Sequence, residues 1–174
     1  MPVPGRRWPV LAMVPVNVLL VLWVWIGRVV FGVFGWFGLI MIPVALGVAV
    51  ALTISTVLAL TQAARPRVLT RGQLVAQLAT WVGLLGVGAF LPDFGDAPDS
   101  YVSLLTNVFG YSDDLMSLSW LVTTAFAVLT GVAYVALLVT LVVGRRAQAR
   151  AARDGVQAQA TNTQNGWPAG SAST

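Results

Sequence analysis

Cysteine, histidine, lysine and glutamate are all absent from this chain. Without cysteine there are no disulfides and no thiolate metal sites, and the redox compartment is left open. Losing histidine and glutamate as well removes the HExxH zinc motif and any serine paired with a histidine base. With no lysine there is no P-loop. Most catalytic constellations are thereby excluded, and neither an enzyme nor a cofactor is expected.

Charge is scarce too. Charged residues make up 9% of the 174 positions and hydrophobic residues 57%, and the charged share is roughly a third of that in a soluble domain. Such a chain cannot cover a water-facing surface. Every base is an arginine and every acid an aspartate, with a net charge of +4 and a pI near 10.7. In a soluble protein that balance would suggest nucleic acid. Here the arginines flank apolar runs, and no basic stripe with interleaved aromatics appears, so no nucleic acid partner is expected. The excess of Ala, Val, Gly and Arg is what GC-rich codons favour, which points to a bacterial source.

Four apolar stretches are long enough for the roughly 20 helical residues that cross a hydrocarbon core. They run from about 9 to 30, 36 to 63, 74 to 91 and 115 to 143. The third is the shortest and least apolar, because Gln73, Gln77 and Thr80 occupy its start. A cleaved signal peptide is the alternative for the first. It fits less well, since the apolar run is too long and no small-residue cleavage site follows. The fold class expected is an all-α membrane protein with four transmembrane helices, residues 1–146, and a mostly disordered tail, 147–174, with a short helical extension through Arg153 at most.

Arginine placement orients the spans. Arg6, Arg7, Arg65, Arg67, Arg71, Arg145, Arg146, Arg150 and Arg153 share one side, which the positive-inside tendency makes the cytoplasm. Both termini are then cytoplasmic, in the cell inner membrane. The other side receives Arg28 and five of the six aspartates, Asp93, Asp96, Asp99, Asp113 and Asp114. Aspartate costs about 2.5–3.5 kcal/mol at the centre of a bilayer, so a chain made mostly of spans has few places to keep it. The 92–114 connection is the largest of them.

That connection also carries a helical pattern. Asp99 or Ser100 is suited to cap a helix over 100–109, with Tyr101, Leu104, Leu105, Val108 and Phe109 on one apolar face and Gly110 as its stop. Too short to span, it is expected at the outer interface. Ser112 or Asp113 then caps the fourth span, whose positive dipole end favours the two acids. In the first outer turn, glycines permit a tight reversal while Phe31, Phe34, Trp36 and Phe37 suit the headgroup boundary.

Helices in lipid are held together by close packing through small residues. Gly47, Ala51, Ser55, Ala59 and Ala63 recur every four residues in the second span, and Thr123, Ala127 and Gly131 repeat the theme in the fourth. Gly83 and Gly86 of the third are expected to meet them. Polar residues at membrane depth are few. Asn17 is placed to satisfy a carbonyl freed by Pro15, while Gln73, Gln77 and Thr80 share one face of the third span, and Thr130 and Tyr134 one face of the fourth. They serve either as interhelical hydrogen bonds or as a polar track.

Arg28 is the one base expected outside, where it would pin the acidic loop to the bundle or rest unpaired among headgroups. The spacing of Asp93, Asp96 and Asp99 would suit hard oxygen ligands, but it lacks the alternate-residue pattern of a calcium loop, so solvated loop charge or helix capping is expected and no metal. The proton-coupling acid that small four-span drug exporters bury in their first span is missing. The leading expectation is a non-catalytic accessory or interaction subunit, partnered by the lipid bilayer and by a membrane protein or its own copies. A small permease or channel formed by oligomerisation, with an acidic outer mouth, is the alternative.

Overall fold

The structure, a computed structural model, describes residues 8–31, 37–61, 69–93 and 102–165. Among the described residues five α-helices follow one another: α1 (Trp8–Ile26), α2 (Phe37–Leu60), α3 (Arg71–Phe90), α4 (Leu104–Phe109) and α5 (Asp113–Asn165), with a short 3-10 turn over Gly27–Phe31 after α1. No strand occurs among the described residues. Asp93 and Val102 form an isolated antiparallel bridge across the connection between α3 and α4.

Three helical segments are long and apolar enough to cross a membrane: Gly38–Leu60, Arg71–Phe90 and Asp113–Thr161. They mark the chain as a membrane protein. α1 contributes a shorter apolar stretch, Leu11–Ile26. Pro15 and Pro43 lie inside α1 and α2. The second helix continues through Pro43, since one lost backbone bond is tolerated where neighbouring bonds hold the turn.

The helix starts follow from local chemistry. At α3 the Thr70 hydroxyl accepts from the Gln73 N–H at 3.3 Å, and the Gln73 side-chain oxygen accepts from the Thr70 N–H at 3.0 Å. This capping box moves the start of α3 three residues ahead of the position expected from apolarity alone. Ser112 caps α5 by accepting from the Leu115 N–H at 3.2 Å, with Asp113 and Asp114 in the first turn, as the dipole favours.

Two elements differ from expectation. The loop helix begins at Leu104 rather than 100, because Ser103 and Thr106 form the capping box; the region of Asp99 and Ser100 lies outside the described residues. Its buried face carries Thr106, while Val108 and Phe109 are exposed, so the apolar stripe does not face the bundle. Gly110 ends the helix at φ 87°, a conformation glycine adopts without strain. The second difference is α5, which runs on to Asn165, well past Arg153. Its extension is exposed throughout 151–161, so packing does not support it. Alanine, arginine and glutamine are strong helix formers, and lengthening an existing helix avoids the cost of nucleation.

α1 lies beside α2 and α3, α3 lies along α5, and α5 touches α2 to close the bundle; α4 rests on α5 and α3. Apolar side chains pack at two levels. One joins Met13, Ala59, Leu69, Ala76, Leu137 and Leu141; the other joins Leu20, Val24, Leu52 and Leu84. α3 and α5 approach each other closely. A Cβ on Gly83 would strike the Thr130 side chain, and one on Gly86 would strike the ring of Phe126, which also stacks on Phe90 with centroids 5.9 Å apart. Gly86→Val is therefore expected to lower unfolding stability in detergent by about 1–3 kcal/mol. Gly131→Ala, where a Cβ meets nothing within 4 Å, is expected to leave the melting temperature unchanged. Equal melting of Gly86→Val and wild type would refute the α3–α5 contact.

Candidate functional site

Polar side chains gather at two levels of the bundle, and all of those described there except Asp93 are neutral. At the first level Asn17 of α1 is the hub. Its amide nitrogen donates to the Thr56 hydroxyl of α2 at 2.9 Å, and its oxygen accepts from the indole N–H of Trp81 on α3 at 2.8 Å. Asn17 does not turn back to its own helix near Pro15; it ties three helices together. The freed donor capacity of Thr56 goes to the Leu52 carbonyl at 2.7 Å. Nearby, the Tyr134 hydroxyl of α5 donates to the Ala51 carbonyl of α2 at 2.7 Å, which closes the ring of helices. Toward the arginine-bearing end, Gln73 donates to the Thr140 carbonyl at 3.3 Å.

The second level lies at the opposite end, beneath the loop. The Ser103 and Ser119 hydroxyls meet at 2.7 Å, and both residues are fully buried. Asp93 and Val102 exchange backbone bonds of 2.8 and 3.2 Å. The loop is thus fastened to α5 by a hydroxyl pair and to the end of α3 by a backbone bridge. Arg28 falls in the 3-10 turn after α1, and its side chain lies outside the described residues.

Among the described acids, the burial is divided. Asp93 is buried, with 4% of its surface exposed. Asp113 and Asp114 are exposed at the start of α5, where Asp113 accepts from the Tyr111 hydroxyl at 3.0 Å. Asp96 and Asp99 lie outside the described residues. Among the described residues no three of His, Cys, Asp or Glu come together in a way that would hold a metal ion.

The small-residue faces are divided. Ser55 and Ala59 are buried and Ala51 is half-buried, while Gly47 is exposed; Ala63 lies outside the described residues. On α5, Thr123 is buried but Ala127 and Gly131 face outward. Helical phase explains the split: the inward face of α5 passes through Thr123, Phe126, Thr130, Ala133, Leu137 and Leu141, a 3.6-residue path from which a strict four-residue series drifts away. Gly83 and Gly86 do face α5, but against Thr130 and Phe126 rather than the Thr123, Ala127 and Gly131 series they were expected to meet.

Sequence reasoning missed Ser119 and Trp81. Ser119 and Thr123 are polar positions one turn apart in an apolar run, a signal that was present. Trp81 reads as an ordinary membrane aromatic, and nothing in a single sequence marks it as a donor to Asn17. Gln77 and Thr123 are buried with polar atoms that find no partner among the described residues, both ends of the amide in the case of Gln77. Thr80 returns its hydroxyl to the Ala76 carbonyl at 2.8 Å.

Chemically, amides, hydroxyls and an indole at these levels can join helices or solvate a neutral guest, but they provide no strong nucleophile or base. Because Asn17 holds two partners, Asn17→Leu is expected to cost more stability than Trp81→Phe, about 2 kcal/mol against about 1. A double-mutant cycle between them should return a coupling of about 0.6–1.7 kcal/mol, the range for hydrogen bonds between helices in membranes. Strict additivity of the two variants in detergent unfolding would remove the Asn17–Trp81 bond from the account.

No protein-family model matches the chain, and neither a curated protein nor a solved structure shows significant similarity to it.

Proposed function

We propose that the chain is a four-span protein of the cell inner membrane that acts as a non-catalytic accessory or interaction subunit, packing against its own copies or a larger membrane complex. α1 is the fourth span. Its 19 residues extend about 28 Å at 1.5 Å per residue, close to the roughly 30 Å hydrocarbon thickness, and the 3-10 turn after it adds further length. With four crossings both termini stand on the arginine-rich, cytoplasmic side, and the 92–114 connection stands outside. There α4 lies at the interface with Val108 and Phe109 toward the headgroups.

The observation that carries the interaction reading is how polar groups and small residues are distributed. Asn17, Thr56, Trp81 and Tyr134 bond helix to helix inside the bundle. Gly47 and Gly131 stand on its outside, each with nothing within 4 Å of a built Cβ. Small outward residues leave room for a further helix to approach closely. The expected outcome is that the protein purified in mild detergent has the mass of a stoichiometric assembly. Gly131→Leu and Gly47→Leu should reduce it to single chains without lowering the melting temperature. A single chain from the wild type, with no partner after cross-linking in native membranes, would overturn the reading.

One observation favours a second reading, a small permease formed by oligomerisation: the Gln77 amide, 1% exposed, has neither polar atom partnered among the described residues. Under the interaction reading, Gln77→Leu removes an unsatisfied buried amide and is expected to stabilise the bundle by about 1–3 kcal/mol. Under the permease reading the same variant lowers solute or ion flux in liposomes. Flux from the wild type that Gln77→Leu abolishes would decide for the permease.

A further inference from the structure

On the outer face of the α3–α5 pair, opposite the hydrogen-bonded interior, runs a groove of about 500 Å³. Its floor is built from Gly72, Ala76 and Ala79 of α3 and Ala133 and Ala136 of α5. Short side chains at facing positions are what make it a groove, and the exposed Val75 and Val132 stand up as its walls. The floor is apolar throughout. At one end the character changes abruptly: the last lining residue is Arg71, exposed at the first position of α3.

The surroundings of that end are basic. Gln73 donates to the Thr140 carbonyl and lies 3.6 Å from a Cβ built on Gly144, so the start of α3 is level with 140–144 of α5. Arg145 and Arg146 follow at once, both exposed. Arg150 and Arg153 come one and two turns later, and Asp154 is the nearest acid that follows on α5. A Cβ at Gly72 would meet nothing within 4 Å, so the mouth beside Arg71 is open.

We infer that this groove binds an anionic phospholipid from the leaflet on the arginine side, its acyl chain along the alanine floor and its phosphate at Arg71. The two halves of the site match the two halves of one molecule. Hydrocarbon lies against an apolar channel parallel to the helix axes, and negative charge lies where guanidinium groups reach the interface. A zwitterionic lipid offers the same chain but a weaker electrostatic match. A second copy of this chain would fill the floor but would bring its own arginines against Arg71. The inference rests on α3 and α5 being embedded in a bilayer, and goes beyond the interaction reading by naming a ligand class and a place.

The test uses the full chain in a neutral detergent, with native mass spectrometry reading retained lipid. Phosphatidylglycerol, phosphatidylcholine of the same acyl chains and inorganic phosphate are supplied separately. Phosphatidylglycerol is expected to be retained about fivefold more tightly than phosphatidylcholine, as one well-placed arginine provides, and inorganic phosphate not at all. Arg71→Gln, an exposed position, should bring the two lipids to equal retention. Ala136→Phe, also exposed, should reduce both by blocking the floor. Equal retention of the two lipids by the wild type, or undiminished phosphatidylglycerol selectivity in Arg71→Gln, would overturn the inference. So would a protein dimer lost in Ala136→Phe with lipid retention unaltered, which would assign the floor to a second copy. Recovery of the protein in the soluble fraction without detergent would instead defeat the membrane reading, an outcome separable from lipid selectivity.

Discussion

Polar groups of a helix that crosses hydrocarbon must find partners within the protein, because no water is there to take them. That constraint organises the bundle. Backbone groups are satisfied along each helix, and Thr53, Thr56, Thr80, Thr124 and Thr130 return their hydroxyls to carbonyls one turn back. Part of the remaining side-chain capacity goes between helices, with Asn17 concentrating it, while Gln77 and Thr123 keep polar atoms without a partner among the described residues. A side chain with two donors and an acceptor of two lone pairs can serve two neighbours at once, which makes one residue on α1 a joint for α2 and α3. Tyr134 then joins α5 to α2, and α3 and α5 pack so closely that Gly83 and Gly86 leave no space for a side chain. Hydrogen bonding sets which helices are neighbours, and close packing sets how near they come.

The same constraint separates charge from span. Arg71 stands at the first residue of α3, Asp113 and Asp114 at the first turn of α5, and Arg145 and Arg146 beyond its apolar run. Arg71, Asp113 and Asp114 lie at helix starts, and Arg145 and Arg146 where the apolar part of α5 gives way to its polar extension, so each can reach water or headgroups. Asp93 is the exception in burial, yet it sits just past the end of α3, in the bridge to Val102. The bundle is therefore a neutral hydrogen-bonded body between two charged rims of opposite sign.

Much of this was legible in the sequence, for a physical reason: hydrophobic runs and their flanking charges act over 20 residues and survive any local error. The existence of α2, the Gly110 stop and one of the two caps offered for α5, Ser112, could be read directly. Facing directions were harder. Four-residue spacing of Thr123, Ala127 and Gly131 suggested one packing face, but the path buried against α3 turns with 3.6-residue periodicity, and composition alone does not give its phase. The length of α5 was not legible from apolar periodicity, which its last third lacks; only helix propensity marks that part. The site was the least legible part. Asn17, Trp81 and Thr56 are 25 to 64 positions apart in sequence, and no local rule brings them together.

The division of labour between inward and outward faces bears on what kind of membrane protein this is. A carrier must break and remake its interior contacts in each cycle, so its polar core is built to exchange partners. In this bundle the Asn17 bonds at 2.8 and 2.9 Å and the Tyr134 bond at 2.7 Å link four helices at neighbouring levels, and opening any one gap would leave amide, indole or phenol groups unpaired in hydrocarbon at a cost of about 1–3 kcal/mol each. Such an interior resists motion. The outer surface carries no comparable hydrogen-bonding demand: its alanines and valines lie as well against lipid tails as against another helix, and only at small residues such as Gly47 and Gly131 could a further helix come close enough for packing to favour it. A neutral, hydrogen-bonded interior beneath an apolar outer surface leaves the described charges at the rims of the bundle or beyond them, where water or headgroups can solvate them.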